Sequence, residues 1–152
     1  MKWKPHITVA AVIEREDKFL LVEELVEDTA VLNQPAGHWE PGETLIEASK
    51  RETLEETGWE FYPTALVGIY QWRHPRKDET FLRFTFCGDC SEQQISTELD
   101  DNILNAMWHH KEKILSLPET RIRSTLVTES IKDYLAGKRH NLTMMRDISQ
   151  HW

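Results

Sequence analysis

The chain has 152 residues, 39% hydrophobic and 29% charged, which fits one globular domain spanning 1–152. Its formal net charge of −8 argues against a basic surface for duplex nucleic acid. No run of about eighteen apolar residues is present, and the first residues lack the apolar stretch of a secretory signal. We therefore expect a cytoplasmic monomer or homodimer without a membrane span.

Two apolar, β-branched runs open the chain, and a short charged stretch separates them. They predict a β-hairpin formed by 7–13 and 19–24. A third extended piece, 30–34, runs into Pro35, and the residue before a proline avoids helical geometry. The segment from Gly37 to Gly42 contains two glycines and a proline, so it is predicted to be a loop.

The next element has signals at both of its ends. Thr44 and Glu47 have the spacing of a capping box, in which two side chains satisfy the free N–H groups that begin a helix. Gly58 suits the left-handed position that follows a helix. The sequence therefore predicts a helix over 44–57.

The second half of the chain predicts a strand pair at 65–72 and 80–87, joined by a charged turn, and a further strand at 104–109. Apolar residues at helical spacing indicate a last helix that Gly137 ends. These residues are Val127, Ile131, Tyr134 and Leu135. The tail, about 138–152, is expected to be peripheral. This order predicts an α/β fold with a mixed β-sheet between helices.

Cys87 and Cys90 form a lone C-x-x-C pair, which is the spacing of a redox pair or of half a zinc site. Zinc needs two further ligands, and the adjacent residues His109 and His110 lack the usual ligand spacing. We therefore favour two reduced thiols at the end of a strand.

The predicted central helix carries an acidic cluster. Glu52, Glu55 and Glu56 stand at i, i+3 and i+4, so their carboxylates share an arc of about 100°. Like charges this close repel each other unless water or a cation neutralises them, and Mg²⁺ or Mn²⁺ takes oxygen ligands. The glycine-containing loop before the helix can bring backbone carbonyls to the same place. A solvated acidic face is the alternative.

The segment 37–59 resembles the Nudix box, the signature of the Nudix hydrolase family. All seven fixed positions of that box match: Gly37, Glu43, Arg51, Glu52, Glu55, Glu56 and Gly58. Two looser apolar positions hold Thr53 and Trp59 instead of aliphatic residues. The segments 33–38, 71–72 and 81–84 are also similar to those of a bacterial phosphatase of this family. The resemblance implies the family's α/β/α sandwich.

The resemblance also implies a reaction, which is Mg²⁺-dependent hydrolysis of phosphoanhydride bonds with Mn²⁺ as an alternative metal. The implied substrates are nucleoside di- and triphosphates and the hydroxymethylpyrimidine diphosphate of thiamine synthesis, with release of phosphate. By the family pattern, Glu52, Glu55, Glu56 and the carbonyl of Gly37 hold the metal. We choose Glu52 as the general base.

Several other residues are expected to support these groups. Arg51 should orient the catalytic carboxylates of Glu52 and Glu56 rather than contact substrate, and Glu43 should tether the loop at the helix N-terminus. By the family pattern, a later loop is expected to supply a further acidic ligand for the metal. The candidates are Glu98, Asp100 and Asp101.

Four residues are candidates for substrate binding. Arg83 lies in an apolar strand, where its charge is expected either to bind a substrate phosphate or to form an internal salt bridge. Gln34, His38 and Trp72 are expected to line the pocket, and Trp72 is expected to stack on a pyrimidine or purine ring.

Two alternative functions stay open at this point. The first is an ADP-ribose-type pyrophosphatase, which is suggested by Pro75 because that subgroup carries a proline at about this place. The second is a non-catalytic Nudix domain that senses a metabolite. Such domains typically lose glutamates of the box, and this chain keeps them all.

Overall fold

The computed structural model describes residues 2–150. The strands are β1 His6–Val12, β2 Glu14–Arg15, β3 Lys18–Val26, β4 Thr29–Asn33, β5 Ala36–His38, β6 Phe61–Arg73, β7 Thr80–Cys90 and β8 Ile103–His110. The helices are α1 Leu45–Thr57, α2 Lys111–Ser116 and α3 Thr125–Leu135, with short 3₁₀ helices at Glu119–Arg121 and Leu142–Met144. None of the helices within this range has the length and apolar character that crossing a membrane requires.

The strands form two four-stranded sheets. In the first sheet, with order β5-β1-β7-β6, β1 and β7 are parallel and the other pairs are antiparallel. In the second sheet, β3 pairs antiparallel with β2, β4 and β8. The predicted mixed sheet is therefore confirmed in the first sheet, and an antiparallel sheet accompanies it.

The predicted hairpin of the first two long strands is wrong. β1 and β3 belong to different sheets, and only the two residues of β2 turn back to pair with Lys18 and Phe19. Glu16 and Asp17, with φ of 51° and 65°, make the tight turn between them. Residues 9–13 and 19–22 are buried without alternation, so their pattern does not indicate which strand each run pairs with.

The helix predicted at 44–57 is confirmed as α1. The hydroxyl of Thr44 accepts from the Glu47 N–H at 3.0 Å, and the Glu47 carboxylate accepts from the Thr44 N–H at 3.0 Å. Gly58 adopts a φ of 75° directly after the helix, and a Cβ there would overlap the carbonyl of Ser96. Glycine at 58 therefore lets the β7–β8 loop pack closely on the end of α1.

The helices α1 and α3 cover two separate buried clusters. Ala48 of α1 packs in one cluster with Val9 and Ala11 of β1. Val127 and Ile131 of α3 pack in the other cluster, which contains Val12 of β1. Successive side chains of a strand point to opposite faces. The first sheet therefore lies between the two helices, and its edge near β5 lies next to α1.

The strand pair β6–β7, the strand β8 and the helix α3 confirm the elements predicted for the second half, and Gly137 follows α3 with a φ of 88°. The predicted loop 37–42 begins later than expected, because Gly37 and His38 pair with β1. In the tail, His140 exchanges backbone hydrogen bonds with Leu66 at 2.8 and 2.9 Å. Leu142 and Met145 pack against the α1 cluster.

Cys87 and Cys90 lie in β7, where both thiols are free and buried. Burial raises the pKa of both thiols, that of Cys90 to about 11. Since the thiolate is the reactive form of cysteine, this environment favours inert, structural thiols, as predicted.

Candidate active site

Three carboxylates converge at the exposed side of α1. One oxygen each from Glu52, Glu55 and Asp100 can be chosen so that all lie within 4.8 Å of one another. The backbone N–H of Asp100 donates to the carbonyl of Glu55 at 3.1 Å, and this bond holds the β7–β8 loop against the helix. Among the described residues, the other two loop candidates, Glu98 and Asp101, do not join this group.

Glu56 lies beside this group but is bound differently. Its carboxylate accepts from the backbone N–H of Ala36 at 2.9 Å, and its side chain is 7% exposed. It lines one pocket of about 310 Å³ together with Gly37 and Glu52. The three glutamates that were predicted to cluster are thus divided. Glu52 and Glu55 lie next to Asp100, whereas the carboxyl of Glu56 is buried against the main chain of β5.

Gly37 is required by the close approach of β5 to α1. A Cβ added at this residue would overlap the carboxylate of Glu52, so no other amino acid fits without displacing that group. The main chain of Gly37 therefore lies directly against the acidic cluster, as the resemblance to the Nudix box implied.

Arg51 holds the carboxylates in place. Its Nε and Nη2 donate to the two oxygens of Glu43, both at 2.8 Å, which is the bidentate geometry of a strong ion pair. Its Nη1 donates to Glu52 at 2.8 Å and to Glu55 at 3.2 Å. Glu43 also accepts from the backbone N–H of Glu40 at 2.9 Å. These contacts are the ones expected of an orienting arginine and a loop tether.

The electrostatic environment differs among these carboxyls. The hydrogen bonds from Arg51 lower the pKa of Glu43. Burial raises the pKa of Glu52 in spite of the arginine beside it. Burial raises the pKa of Glu56 to about 9, helped by the negative charge of Glu52 and opposed by the hydrogen bond from Ala36. In the absence of a cation, Glu56 is therefore neutral at neutral pH.

Arg83 enters the same pocket from β7, in register with Thr8 of β1. The side chain is 8% exposed, its Nε contacts the Thr8 hydroxyl at 3.5 Å, and its Nη1 is buried without a hydrogen-bond partner within 2–150. No carboxylate of that range lies within ion-pair distance of it, although Glu24 and Glu56 interact with it electrostatically from farther away. Burial and Arg123 lower its pKa to about 10, so it stays charged at neutral pH.

His38 and Trp72 line the pocket as predicted, but Gln34 does not. Gln34 is 1% exposed, and its amide donates to the carbonyl of Val127 at 2.9 Å and to the hydroxyl of Ser130 at 2.8 Å. This placement corrects the prediction that Gln34 contacts substrate. The residue before Pro35 instead ties the chain after β4 to α3, because the chain turns inward there.

The sequence did not reveal a second arginine and its partners. Arg123 precedes α3 and lines the pocket, and its Nε lies 3.3 Å from the carboxylate of Glu24. The side-chain amide of Asn33 donates to the same carboxylate at 3.2 Å, while its Oδ1 is buried with no hydrogen-bond partner among residues 2–150. The one sequence feature that could have indicated this pair is the presence of two adjacent glutamates, 23 and 24, inside an apolar strand. Nothing in the sequence distinguishes Arg123 from the other basic residue of its segment.

Comparison with known proteins identifies the family. The sequence model of the NUDIX domain matches residues 4–129. The chain belongs to the Nudix hydrolase family. The phosphatase NudJ of Escherichia coli strain K12 is 42% identical over 147 residues, which cover 97% of this chain and 94% of that protein. A Nudix hydrolase from Nitrosomonas europaea is 47% identical with a TM-score of 0.90, over 95% of this chain and 97% of that chain.

A more distant structure shares only the fold. The Nudix domain of Shewanella oneidensis NrtR, solved in complex with ADP ribose, has a TM-score of 0.69 at 17% identity, over 88% of this chain and 90% of that chain. Nudix hydrolases generally use divalent metal ions, and the cluster of Glu52, Glu55 and Asp100 offers the oxygen donors that hard cations take. The donor set of this chain therefore fits the family's cofactor class.

Proposed function

We propose that this Nudix hydrolase uses Mg²⁺ to cleave phosphoanhydride bonds in small diphosphates and triphosphates, with release of phosphate. The proposed substrates are nucleoside di- and triphosphates and hydroxymethylpyrimidine diphosphate. One observation carries the proposal: Glu52 and Glu56 line the same small pocket as a buried arginine, Arg83, whose guanidinium forms no ion pair with any described residue. Similarity to the phosphatase NudJ supports phosphate as the product. The cytoplasmic location stays a prediction.

The residues proposed to hold the metal are Glu52, Glu55 and Asp100, and the proposed further ligands are Glu56 and the carbonyl of Gly37. A bound Mg²⁺ supplies positive charge to the phosphoryl oxygens and acidifies a coordinated water, and Mn²⁺ is the proposed substitute. Ionisation of Glu56 must accompany binding, since metal ligands act as anions. Arg51 keeps the carboxylates of Glu52 and Glu55 from turning into solvent.

The other groups of the pocket act on the substrate and the attacking water. The guanidinium of Arg83 donates to a phosphoryl oxygen, and Arg123 adds positive charge on the same side. Glu52 is proposed as the base that accepts the proton of the attacking water, because burial has raised its pKa. Trp72 is half-buried at the pocket edge, where a pyrimidine or purine ring can stack on it.

The experiment that tests this function is product analysis across a panel of nucleoside di- and triphosphates, hydroxymethylpyrimidine diphosphate and ADP-ribose, with Mg²⁺, with Mn²⁺ and with a chelator. We expect free phosphate from the di- and triphosphates only when metal is present. Cleavage of ADP-ribose alone, to AMP and ribose phosphate, would instead indicate the pyrophosphatase that Pro75 suggested. Binding without any cleavage would indicate a sensing domain.

The raised pKa of Glu56 predicts how the stability of the metal-free protein depends on pH. Between the ordinary value of 4.5 and about 9, the native state keeps a proton at Glu56 that the unfolded chain has released. The free energy of unfolding therefore falls as pH rises through this window, by up to about 1.4 kcal/mol per pH unit. Glu56→Gln removes this contribution, so the wild-type protein should lose stability relative to the variant as pH rises.

The measurement is urea unfolding of both proteins in chelator at several pH values between about 5 and 9. Saturating Mg²⁺ should stabilise the wild-type protein more at about pH 9 than at about pH 6, because a proton must leave before the ligand can bind the cation. A constant difference between the two proteins across this range would show that Glu56 is ionised without metal.

A further inference from the structure

A second cleft adjoins the catalytic pocket. It has a volume of about 850 Å³ and lies between the end of β3, the turn that joins β6 to β7, and the chain that leads from α2 into α3. Five residues line both the cleft and the pocket: Trp72, His74, Lys77, Arg123 and Ser124. The two spaces are therefore neighbours that meet at these five residues.

The lining of this cleft carries a local excess of positive charge. Its cations are Arg73, Arg76, Lys77, Arg123 and Lys132, and its carboxylates are Glu27 and Glu119. The whole chain, in contrast, has a formal charge of −8. We call this space the cation cleft. In a concave surface, clustered charges of one sign raise the local concentration of anions.

Among the described residues, three of the five cations have no carboxylate partner. Arg73 and Arg123 form ion pairs at 3.1 and 3.3 Å. The side chains of Arg76, Lys77 and Lys132 form no ion pair with any residue in the range 2–150. Their charges are therefore available to an anion that enters the cleft.

The turn that carries two of these cations is held in one shape. The ring Nδ1 of His74 accepts from the backbone N–H groups of Arg76 and Lys77, both at 3.1 Å. The His74 N–H itself donates to the carbonyl of Glu79 at 2.9 Å. The ring of His74 also contacts Trp72, with centroids 5.4 Å apart. The main chain that carries the two cations is thus ordered next to the tryptophan at the boundary of the two spaces, which lowers the entropy cost of ordering this turn on binding.

We propose that the cation cleft binds a second phosphate group of the substrate, carried on the part of the molecule remote from the scissile phosphoanhydride. This inference rests on the proposed function, because it assumes that the diphosphate occupies the catalytic pocket. The sugar joins the diphosphate to the base, so with the base stacked on Trp72 a phosphate on the sugar lies at the boundary of the two spaces, on the side of Arg76, Lys77 and Lys132. The substrate class is a nucleoside diphosphate that also carries a phosphate monoester on its sugar.

The test compares ADP with 3′-phosphorylated ADP as substrates of the full chain in Mg²⁺. We expect kcat/KM for phosphate release to be about tenfold higher for the 3′-phosphorylated form, the factor that one charge-assisted contact supplies. The double variant Arg76→Gln with Lys132→Gln should lower that ratio to about one and leave turnover of ADP unchanged. The matched control, Lys4→Gln with Arg146→Gln, removes the same charge elsewhere on the exposed surface and should keep the ratio.

Binding without turnover separates this inference from the proposed function. Calorimetry compares adenosine 3′,5′-bisphosphate with AMP, and neither requires cleavage. If both forms of ADP release no phosphate, the proposed function fails, yet about tenfold tighter binding of the bisphosphate that the double variant abolishes still supports the cation cleft. Equal or undetectable binding of the two nucleotides, or a preference that survives in the double variant, overturns it.

Discussion

Replacing Glu56 with glutamine should lower Mg²⁺-dependent phosphate release by about a hundredfold to a thousandfold while the fold stays intact. The substitution keeps an oxygen that accepts from the Ala36 N–H, the bond that Glu56 makes at 2.9 Å. It removes the negative charge that this carboxyl gains when a cation draws off its proton. Since Glu56 is neutral without metal, glutamine reproduces the metal-free state and should not destabilise it.

The measurement is kcat/KM for a nucleoside triphosphate across a range of Mg²⁺ concentrations, with circular dichroism and urea unfolding to follow the fold. Glu92→Gln is the matched control, because it removes one carboxylate from an exposed site in the β7–β8 loop. That control should keep wild-type turnover. If Glu56→Gln itself turned over at the wild-type rate, the assignment of this carboxyl to the metal site would have to be withdrawn.

The parts of the site that the sequence predicted are those governed by local spacing. α1 has its capping box, its terminal Gly58 and three glutamates within one helical turn and a half, so neighbours along the chain are also neighbours in space. Arg51 reaches Glu55 at i+4 for the same reason. The geometry of one helix therefore brings most residues of the Nudix box together, and no tertiary contact is needed to predict this.

The parts that the sequence did not predict depend on pairing between distant segments. β1 lies parallel to β7, more than seventy residues away, and its continuous apolar run carried no sign of that partner. The acidic group gains Asp100 from a loop that Gly58 allows to pack on α1. Arg123 and Glu24 meet although roughly a hundred residues of the chain separate them. Such contacts are fixed by the packing of whole elements, which no short window of sequence contains.

Gln34 and Arg83 were both predicted to line the pocket, and the prediction holds for Arg83 but not for Gln34, because the two side chains point in different directions. Both are polar residues next to apolar strands, and both are buried in the structure. Gln34 found partners in α3, a helix whose position was not predictable from the residues around Gln34. Arg83 lines the pocket, and among the described residues its Nη1 has no hydrogen-bond partner.

For Arg83→Met we expect a loss of activity without a loss of stability, because the buried guanidinium has no ion-pair partner among the described residues. The variant should lose about a hundredfold to a thousandfold in kcat/KM for a nucleoside triphosphate, because a buried donor to the phosphoryl oxygens is gone. Its free energy of unfolding should be unchanged or higher, since a buried charge without an ion-pair partner costs desolvation energy that methionine avoids. A residue important only for packing would show the reverse pattern.

Urea unfolding and steady-state kinetics of the same preparations decide between these patterns. Arg83→Lys should recover part of the activity but not all of it, because lysine keeps the charge and loses the planar donor fork. Arg146→Met, at an exposed site of the tail, controls for the loss of one positive charge. If Arg83→Met were destabilised by several kcal/mol and kept its turnover, the arginine would be a structural residue, and the phosphate would have to be held from the side of Arg123 instead.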